Sequence, residues 1–329
     1  MSFIEVKNIS KKYKISKRKS GIPGMLANLF VPKFEDKEAV KDISFSIEQG
    51  EMVGFVGPNG AGKSTTIKML SGILYPDKGE ISVSGIIPYK QRREYVGKIG
   101  VVFGQKSQLQ WDLPVMDSFE LLKAIYRVPD EVYKKNIDRY TEMLDMSGFL
   151  KQPVRQLSLG QRMRADIAAA LLHSPEIVFF DEPTIGVDVV GKDSIRNFIR
   201  ELNEEDKVTM IFTTHDMQDI EKTCNRLIII NKGSKIFDGT LDEVRRLHGS
   251  SRQLDVYFMN DETVKPIPGV EIEEVDKRHS QLIFDGRKVR INDLMSQLLT
   301  KYNVKDINIA EPDIESIIRK IYSREKVAV

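Results

Sequence analysis

The stretch MVGFVGPNGAGKSTTIKMLSG, residues 52–72, places a glycine-rich turn between an apolar run and an amphipathic segment. The turn itself, GPNGAGKST (57–65), fits the pattern G-x-x-x-x-G-K-[ST]. This pattern binds phosphate when a strand precedes it and a helix follows it, and both flanks have the required composition here. The stretch therefore predicts a phosphate-binding loop at the carboxyl end of a buried strand.

The side chains of this turn indicate a nucleoside triphosphate with a metal ion. Its glycines let the backbone curl so that N–H groups point inward at phosphate oxygens. Lys63 has the length to reach the β- and γ-phosphates, and the hydroxyl of Ser64 can coordinate Mg²⁺. The residues predicted to contact the nucleotide are Gly57, Pro58, Asn59, Gly60, Ala61, Gly62, Lys63, Ser64 and Thr65.

A second apolar run ends in two carboxylates. In EIVFFDEP (176–183), four apolar residues lead directly to Asp181 and Glu182. Asp181 suits a role at Mg²⁺, because carboxylate oxygens are natural ligands of that ion. Glu182 is suited to polarise the water that attacks a γ-phosphate. The alternative is that the pair only caps the turn at Pro183.

A third segment, LSLGQRMRADIAAALL (157–172), predicts a helix with a well-defined start. Ser158 and Gln161 have the spacing of a capping box, in which each side chain bonds to the other residue's backbone N–H. Gly160 leaves the first turn bare, and a bare helix N-terminus attracts anions through its free N–H groups and its dipole. The chain thus carries two predicted anion sites.

Composition limits the class of protein. The chain has 329 residues, 41% of them hydrophobic, and a formal net charge of +2 at pH 7. That length allows about two domains, and the balanced charge argues against a nucleic-acid partner. The single cysteine, Cys224, excludes an intrachain disulfide and is expected to be buried. No apolar run approaches the roughly 18 residues of a membrane span and no signal peptide is evident, so we expect an intracellular chain.

The order of elements predicts an α/β fold. Apolar strands such as EIVFFD, VTMIFTT and NRLIIIN alternate with helices, which indicates a parallel sheet. After residue 248 the pattern changes, and 249–329 is predicted to form a separate small α+β domain. A basic insertion, 16–38, interrupts the first domain. The helices predicted in that domain lie around 63–71, 116–127, 131–147 and 160–173.

These segments together resemble the ATP-binding-cassette (ABC) ATPases, over roughly residues 1–248. GPNGAGKST resembles the family's Walker A motif, LSLGQ its signature motif and VFFDEP its Walker B motif. IGVDV (185–189) is similar to the D-loop. Gln105 resembles the Q-loop glutamine, His215 in TTHDM the switch histidine, and Tyr13 the aromatic residue that stacks on adenine. The resemblance implies a RecA-like core with antiparallel β and helical subdomains.

The family also suggests what the second anion site is for. Two cassettes pair head to tail, so that each signature helix contacts ATP held by the other cassette's Walker A motif. Ser158, Gly160 and Gln161, with Asp188 of the D-loop, are thereby expected at ATP. The resemblance implies Glu182, His215 and Gln105 as catalytic residues, and Ser64, Gln105 and Asp181 as metal ligands. ATP and Mg²⁺ are the implied cofactors. A purely structural histidine and a half-buried strand tyrosine are the alternatives for His215 and Tyr13.

Two departures from the family pattern stand out. Leu159 occupies a signature position where many members have glycine. An additional residue, Gly104, precedes Gln105, which would shift the glutamine by one position. Neither change removes a catalytic group, so an active ATPase is expected.

Within the family, FGQKSQL and WDLPV resemble ATPase subunits of ABC-2-type exporters, particularly the branch that is viologen-exporter-like or of uncharacterised substrate. The C-terminal extension ending PDIESIIRKIY resembles the short accessory domain of drug- and antibiotic-exporting relatives of that class. We therefore expect an exporter subunit at the cytoplasmic face of the membrane. Its expected partners are a second cassette, identical or different, and separate permease subunits. Trp111 is either a docking residue for a permease or part of the core.

Other functions remain as alternatives at this stage. A basic insertion similar to 16–38 occurs in cassettes that export teichoic acid or O-antigen polysaccharide, and a regulatory ATPase without a transport role is a further possibility. The insertion itself is expected to be either a solvated loop that packs locally or a segment near anionic lipid headgroups or the permease.

Overall fold

The computed structural model describes residues 2–16, 34–104, 106–214, 216–247, 251–310 and 314–327. The chain divides into two compact units, 1–239 and 240–329. The division falls nine residues before the boundary expected from composition. The reason is the helix Leu241–Leu247, which packs against the C-terminal helix Ile314–Val327 and so belongs to the second unit.

The first unit alternates strands and helices. Its strands are β1 (Ile4–Ser16), β2 (Phe34–Ile47), β3 (Met52–Val56), β4 (Lys78–Val83), β5 (Ile99–Phe103), β6 (Ile177–Asp181), β7 (Thr209–Thr213), β8 (Arg226–Asn231) and, up to the division, β9 (Ser234–Thr240). Its helices are α1 (Lys63–Leu70), α2 (Arg92–Val96), α3 (Val115–Tyr126), α4 (Asp130–Met143), α5 (Leu159–Leu171), α6 (Val189–Asp206) and α7 (Met217–Thr223).

Six strands form the central sheet of this unit, in the order β5-β6-β7-β3-β8-β9. Strand β3 runs parallel to β7 and β8, and β6 runs parallel to β5 and β7. Strands β3 and β7 are buried along their whole length, as expected for strands covered on both faces. The predicted parallel α/β core is confirmed.

A three-stranded antiparallel sheet, ordered β2-β1-β4, forms the second layer. Buried residues of this sheet, including Ile4, Ile9 and Ile43, share one core with α1 and the central sheet. Strands β1 and β2 continue to pair as far as Ser16 opposite Phe34. Residues 34–38 of the predicted insertion are therefore strand rather than loop, and 17–33 lie outside the described residues.

The predicted helices are present with adjusted ends. Helix α4 ends at Met143, four residues earlier than predicted, because Leu144 leaves the helical conformation and Asp145 has a φ of 46°. Helix α5 starts with the predicted capping box: Gln161 N donates to Ser158 Oγ, and Ser158 N donates to Gln161 Oε1. Helices α3 and α4 both pack on α5, which gives the expected helical subdomain.

The second unit is a small α+β domain. It consists of α8 (Leu241–Leu247), β10 (Ser251–Phe258), β11 (Val270–Asp276), β12 (His279–Asp285), α9 (Ile291–Lys301), β13 (Val304–Ala310) and α10 (Ile314–Val327). The strands form one antiparallel sheet in the order β11-β12-β10-β13. Leu294 and Leu298, four residues apart on α9, are buried in the same core as residues of β10 and β12, among them Leu254 and Phe284. The sequence analysis did not predict β11 or α8.

Candidate functional site

The predicted site residues meet at the carboxyl edge of the central sheet. The loop 57–62 follows β3, Asp181 ends β6, and Thr213 ends β7. These three strands are neighbours and run parallel, so their ends lie side by side. Ligands bind at this edge in open parallel sheets.

The loop conformation depends on glycine at one tight position. Gly62 has a φ of 110° and precedes α1, and a Cβ there would lie 2.5 Å from the carbonyl oxygen of Ala39. Any other residue would meet both backbone strain and a clash with backbone. The loop is thus held in a curled form, with α1 starting immediately after it.

Lys63 is held inside this curl. Its side chain is 6% exposed, and Nζ donates to the carbonyl oxygen of Gly57 at 2.6 Å. Burial lowers the pKa of Lys63, and the charges of Glu182 and Asp181 act in the opposite direction. A cation in this position can neutralise phosphate charge without a large movement.

Several backbone donors of the loop are available to a ligand. Among the described residues, no acceptor is bonded to the N–H groups of Gly60, Gly62, Lys63, Ser64 and Thr65. Three of them belong to the first turn of α1, where the helix dipole also favours an anion. This arrangement fits a triphosphate chain.

The residues for a metal ion lie next to the loop. Ser64 Oγ donates to Asp181 Oδ1 at 3.2 Å, and Thr213 Oγ1 donates to the same oxygen at 2.7 Å. Mg²⁺ prefers hard oxygen ligands and usually binds proteins through one or two side chains plus substrate phosphates. A hydroxyl and a carboxylate in direct contact beside the phosphate loop fit that requirement.

Glu182 has an unusual backbone. Its φ of 56° lies in the left-handed region, which is uncommon for a residue with a side chain. The Glu182 N–H is directed at Thr213, with N···O distances of 3.0 Å to the carbonyl oxygen and 3.2 Å to Oγ1. Strained backbone of this kind persists where the surroundings fix it, often at active sites.

Gly104 packs directly against this strained turn. Its N–H donates to the carbonyl oxygen of Asp181 at 2.8 Å. A Cβ at position 104 would lie 2.3 Å from the carbonyl oxygen of Glu182 and 2.9 Å from a methyl group of Ile185. The additional residue noted in the sequence therefore has a steric reason to be glycine.

A cavity of about 1150 Å³ extends from the phosphate loop to β1. Tyr13 lines it and is 37% exposed, which leaves the ring accessible to a base. Four lysines that the sequence analysis did not single out also line the cavity: Lys14, Lys37, Lys68 and Lys106. A cavity with an aromatic residue and several cations has the chemistry for a nucleotide.

The signature segment presents donors of its own. Within the described chain, no acceptor is bonded to the N–H groups of Leu159 and Gly160 in the first turn of α5. A Cβ at Gly160 would meet only Val187, at an ordinary 3.6 Å. Packing against the residues that the structure describes therefore does not explain the glycine. Leu159 contacts Gly186, where a Cβ would lie 2.3 Å from Leu159 Cδ2.

Asp188 has a structural task in this chain. It is the N-cap of α6 and accepts a hydrogen bond from Gly191 N at 2.7 Å. The two residues that follow it, Val189 and Val190, are 75% and 77% exposed. Apolar side chains with that exposure at a helix start are available for contact with another molecule.

Two predicted catalytic residues, Gln105 and His215, lie outside the described residues, and their roles stay predictions. Trp111 is 54% exposed, so the core alternative for this residue is wrong. The guanidinium of Arg162 lies 5.9 Å from the centre of its ring. Cys224 is buried, as predicted, and burial raises the pKa of its thiol to about 12.

Sequence reasoning missed three residues near Asp181 and Glu182. Thr213 donates to Asp181, and Thr184 donates to Asp219. The repeated threonine in TTHD was the available signal, since a hydroxyl at a strand end commonly bonds a neighbouring loop. The bond partners themselves are 31 to 35 residues apart and leave no local pattern.

Comparison with known proteins identifies the family of this chain. A family model described as "ABC transporter" matches residues 40–185. The ABC transporter ATP-binding protein NatA of Bacillus subtilis is 34% identical over 231 residues, which cover 69% of this chain and 92% of NatA. The chain belongs to the ATP-binding subunits of ABC transporters.

Two further members of this family are informative. The linearmycin resistance ATP-binding protein LnrL of Bacillus subtilis is 32% identical over 296 residues, 88% of this chain and 94% of LnrL. A solved dimer of the ATP-binding cassette MJ0796, in a post-hydrolysis state with ADP and Pi, superposes with a TM-score of 0.60 at 29% identity, over 72% of this chain and 98% of that one. The chain therefore has an ABC ATPase cassette, and it binds and hydrolyses ATP.

None of the helices in the described ranges has the length and apolar character that a membrane crossing requires.

Proposed function

We propose that this chain is the ATP-hydrolysing subunit of an ABC-2-type exporter and works in a pair of cassettes bound to separate permease subunits at the cytoplasmic face of the membrane. The main support for a site shared between two cassettes comes from the start of α5. There the N–H groups of Leu159 and Gly160 have no bonded acceptor among the described residues, and no contact with those residues requires glycine at 160.

The donors of α5 are best explained by ATP bound to another cassette. Ser158 Oγ accepts a hydrogen bond from Gln161 N and keeps its own hydrogen for donation. With the two free N–H groups, it forms a small anion site at a helix N-terminus. The exposed Val189 and Val190, next to Asp188, would be covered in the same dimer. Pairing on ATP and separation after hydrolysis would provide the mechanical step.

Each residue at the phosphate loop has a distinct proposed role. Lys63 neutralises the β- and γ-phosphates, and the ring of Tyr13 stacks on adenine. Ser64 and Asp181 hold Mg²⁺, which supplies charge neutralisation for the transferred phosphoryl group. Glu182 accepts the proton of the attacking water. From the family resemblance, Gln105 contributes to the metal and water, and His215 contacts the γ-phosphate.

The proposal of an exporter draws on the relative that aligns over both units. The match to LnrL spans 296 residues, more than the 239 of the first unit, so it extends into the C-terminal domain. LnrL is a linearmycin resistance protein by name, and resistance is readily explained by removal of the compound from the cell. The same direction of transport is proposed here.

The proposal of a permease partner draws on exposed apolar side chains on α3, a helix of the helical subdomain, and in the segment before it. Trp111 and Leu113, which precede α3, are exposed, as are Leu121 and Ile125 on that helix. Charged residues accompany them: Arg155 donates to Asp112 at 2.9 Å. An aromatic centre with a polar rim is typical of protein interfaces.

The test uses tagged Glu182→Gln chain, purified from native membranes in mild detergent with and without ATP. Stoichiometric recovery of membrane proteins with many predicted spans is the expected result. Recovery of soluble partners alone would contradict the transporter proposal. Co-expression of two differently tagged copies then separates the two pairings, because only a homodimer retains both tags.

A further inference from the structure

A fully buried carboxylate lies behind the strained turn at Glu182. Asp219 of α7 is 0% exposed, and one of its oxygens, Oδ2, accepts two hydrogen bonds. The donors are Thr184 Oγ1 at 2.5 Å and Thr214 Oγ1 at 3.1 Å. These two hydroxyls belong to segments 30 residues apart, so the carboxylate joins the loop after β6 to the end of β7.

The second oxygen of Asp219 is held by Arg196 of α6. Arg196 Nε donates to Asp219 Oδ1 at 2.6 Å, and Nη2 donates to the same oxygen. Arg196 also donates from Nη1 to Asp193 at 2.9 Å. Both oxygens of the buried carboxylate thus accept hydrogen bonds from described side chains. Its position is fixed by its own helix, α7, and by Arg196 of α6.

The two hydroxyls border Glu182 on both sides. Thr184 follows Glu182 by two residues along the same turn. Thr214 follows Thr213, whose carbonyl and hydroxyl oxygens lie 3.0 and 3.2 Å from the Glu182 N–H. Thr213 therefore holds the turn directly, at the Glu182 N–H. Thr214 holds it indirectly, because Asp219 joins Thr214 to Thr184.

This arrangement explains how the backbone of Glu182 keeps its left-handed φ of 56°. A residue with a side chain leaves that conformation unless its neighbours fix it. We propose that Asp219 is a positioning residue for hydrolysis, which holds Glu182 in place through the hydroxyls of Thr184 and Thr214. The inference rests on the proposed role of Glu182 as the base.

We call the hydrogen bonds of Asp219 with Thr184 and Thr214 the clamp. Loss of the clamp should affect the chemical step and spare nucleotide binding. None of the hydrogen bonds described here for Lys63 and the loop 57–62 involves Thr184, Thr214 or Asp219. An interaction needed only to orient the base lowers kcat while the dissociation constant for ATP stays the same.

The experiment uses the full-length chain with isosteric changes that keep the buried ion pair. Thr184→Val and Thr214→Val each remove one hydroxyl, and Thr184→Ser restores it. Asp193→Asn is the matched control, since it removes the negative charge that Arg196 meets outside these contacts and keeps an oxygen acceptor there. The measurements are kcat, KM for ATP, binding of a fluorescent ATP analogue, and the melting temperature. We expect kcat to fall about tenfold in Thr184→Val, the equivalent of one buried hydrogen bond, with binding within twofold. The fall in Thr214→Val should be at least as large, because that hydroxyl also accepts from Asp216 N at 3.0 Å. Thr184→Ser and Asp193→Asn should keep their kcat.

Glu182→Gln is measured in parallel, alone and combined with Thr184→Val. If the clamp acts through Glu182, the combined variant is no slower than Glu182→Gln alone. Full kcat in both valine variants, with Glu182→Gln inactive, would overturn the clamp and leave the base assignment standing. Normal kcat in Glu182→Gln would overturn both. A loss of ATP binding parallel to the loss of kcat would show a general structural role and refute the positioning role.

Discussion

Ser64 Oγ donates to Asp181 Oδ1 across 3.2 Å, although the two residues are 117 positions apart in the chain. Ser64 lies in the first turn of α1, directly after the phosphate loop, and Asp181 ends β6, which β7 separates from β3 in the sheet. The fold itself therefore assembles the hydroxyl and carboxylate expected at Mg²⁺. Thr213 also donates to Asp181 Oδ1, which orients the carboxylate before any metal binds.

Asp181→Asn should weaken metal binding more than nucleotide binding. An amide oxygen keeps the size and one acceptor but loses the negative charge that attracts a hard cation. We expect the Mg²⁺ concentration for half-maximal ATPase activity to rise at least about tenfold, since loss of a residue that only supports a metal ligand already costs about 10- to 100-fold in metal affinity. Binding of ATP in EDTA should be unchanged. Asp145→Asn, at an exposed position, is the control, and an equal shift there would contradict the assignment.

Gly104→Ala should slow hydrolysis through a steric effect on Glu182. The added methyl group would lie 2.3 Å from the Glu182 carbonyl oxygen, which is backbone and cannot rotate away. The turn must shift, and displacements of this order at catalytic groups reduce rates by about 10²-fold. Gly148→Ala is the matched control, because a Cβ there has nothing within 4 Å. Steady-state kcat of the two variants decides the matter, and equal values would refute the steric role of Gly104.

The parts of the site that the sequence predicted are those specified by short local patterns. The loop 57–65 and the capping box of Ser158 and Gln161 each depend on residues close together in the chain, so the sequence alone is sufficient for them. The same holds for the buried strands, whose apolar runs are continuous.

The features of the site that could not be predicted from the sequence depend on contacts between distant segments. The bonds of Asp219 to Thr184 and the approach of Gly104 to Glu182 arise only after the strands are placed side by side. Strand β11 was missed for another reason: most of its residues are exposed, and as the edge of its sheet it lacks an apolar run. The early end of α4 depends on Asp145, whose positive φ has no clear sequence signal.

Gly160→Ala should leave the folding of the chain intact and prevent the pairing of two cassettes. In the described part of the chain the new methyl group meets only Val187, at 3.6 Å, and alanine favours the helix by up to about 1 kcal/mol over glycine. The melting temperature of the monomer should therefore stay the same or rise. If ATP on another cassette approaches this helix start, the methyl group obstructs it, and the ATP-dependent dimer of the Glu182→Gln chain should be lost. Analytical ultracentrifugation with ATP measures this, and an intact dimer would contradict the composite site.

Asp166 predicts a specific pH dependence of stability. This residue of α5 is buried and accepts hydrogen bonds from Ser107 Oγ at 2.9 Å and from Gln108 N at 3.0 Å. Burial raises its pKa to about 6, from an ordinary value of 3.8, against the opposing effect of those hydrogen bonds. The folded chain therefore binds this proton more tightly than the unfolded chain does. Between pH 4 and 6, the contribution of Asp166 to the free energy of unfolding falls as the pH rises.

Asp166→Asn removes this titration and keeps a side chain of the same shape. The free energy of unfolding of the variant, relative to the native chain, should rise by about 3 kcal/mol between pH 4 and pH 7, since each unit of pKa difference corresponds to about 1.4 kcal/mol. Urea unfolding of both chains across this range measures the difference, and carboxylates common to both cancel in it. The exposed Asp112→Asn serves as control and should show almost no trend. A difference between Asp166→Asn and the native chain that is constant with pH would mean that the carboxyl titrates normally, and that the loop 107–109 is not held by a buried charge.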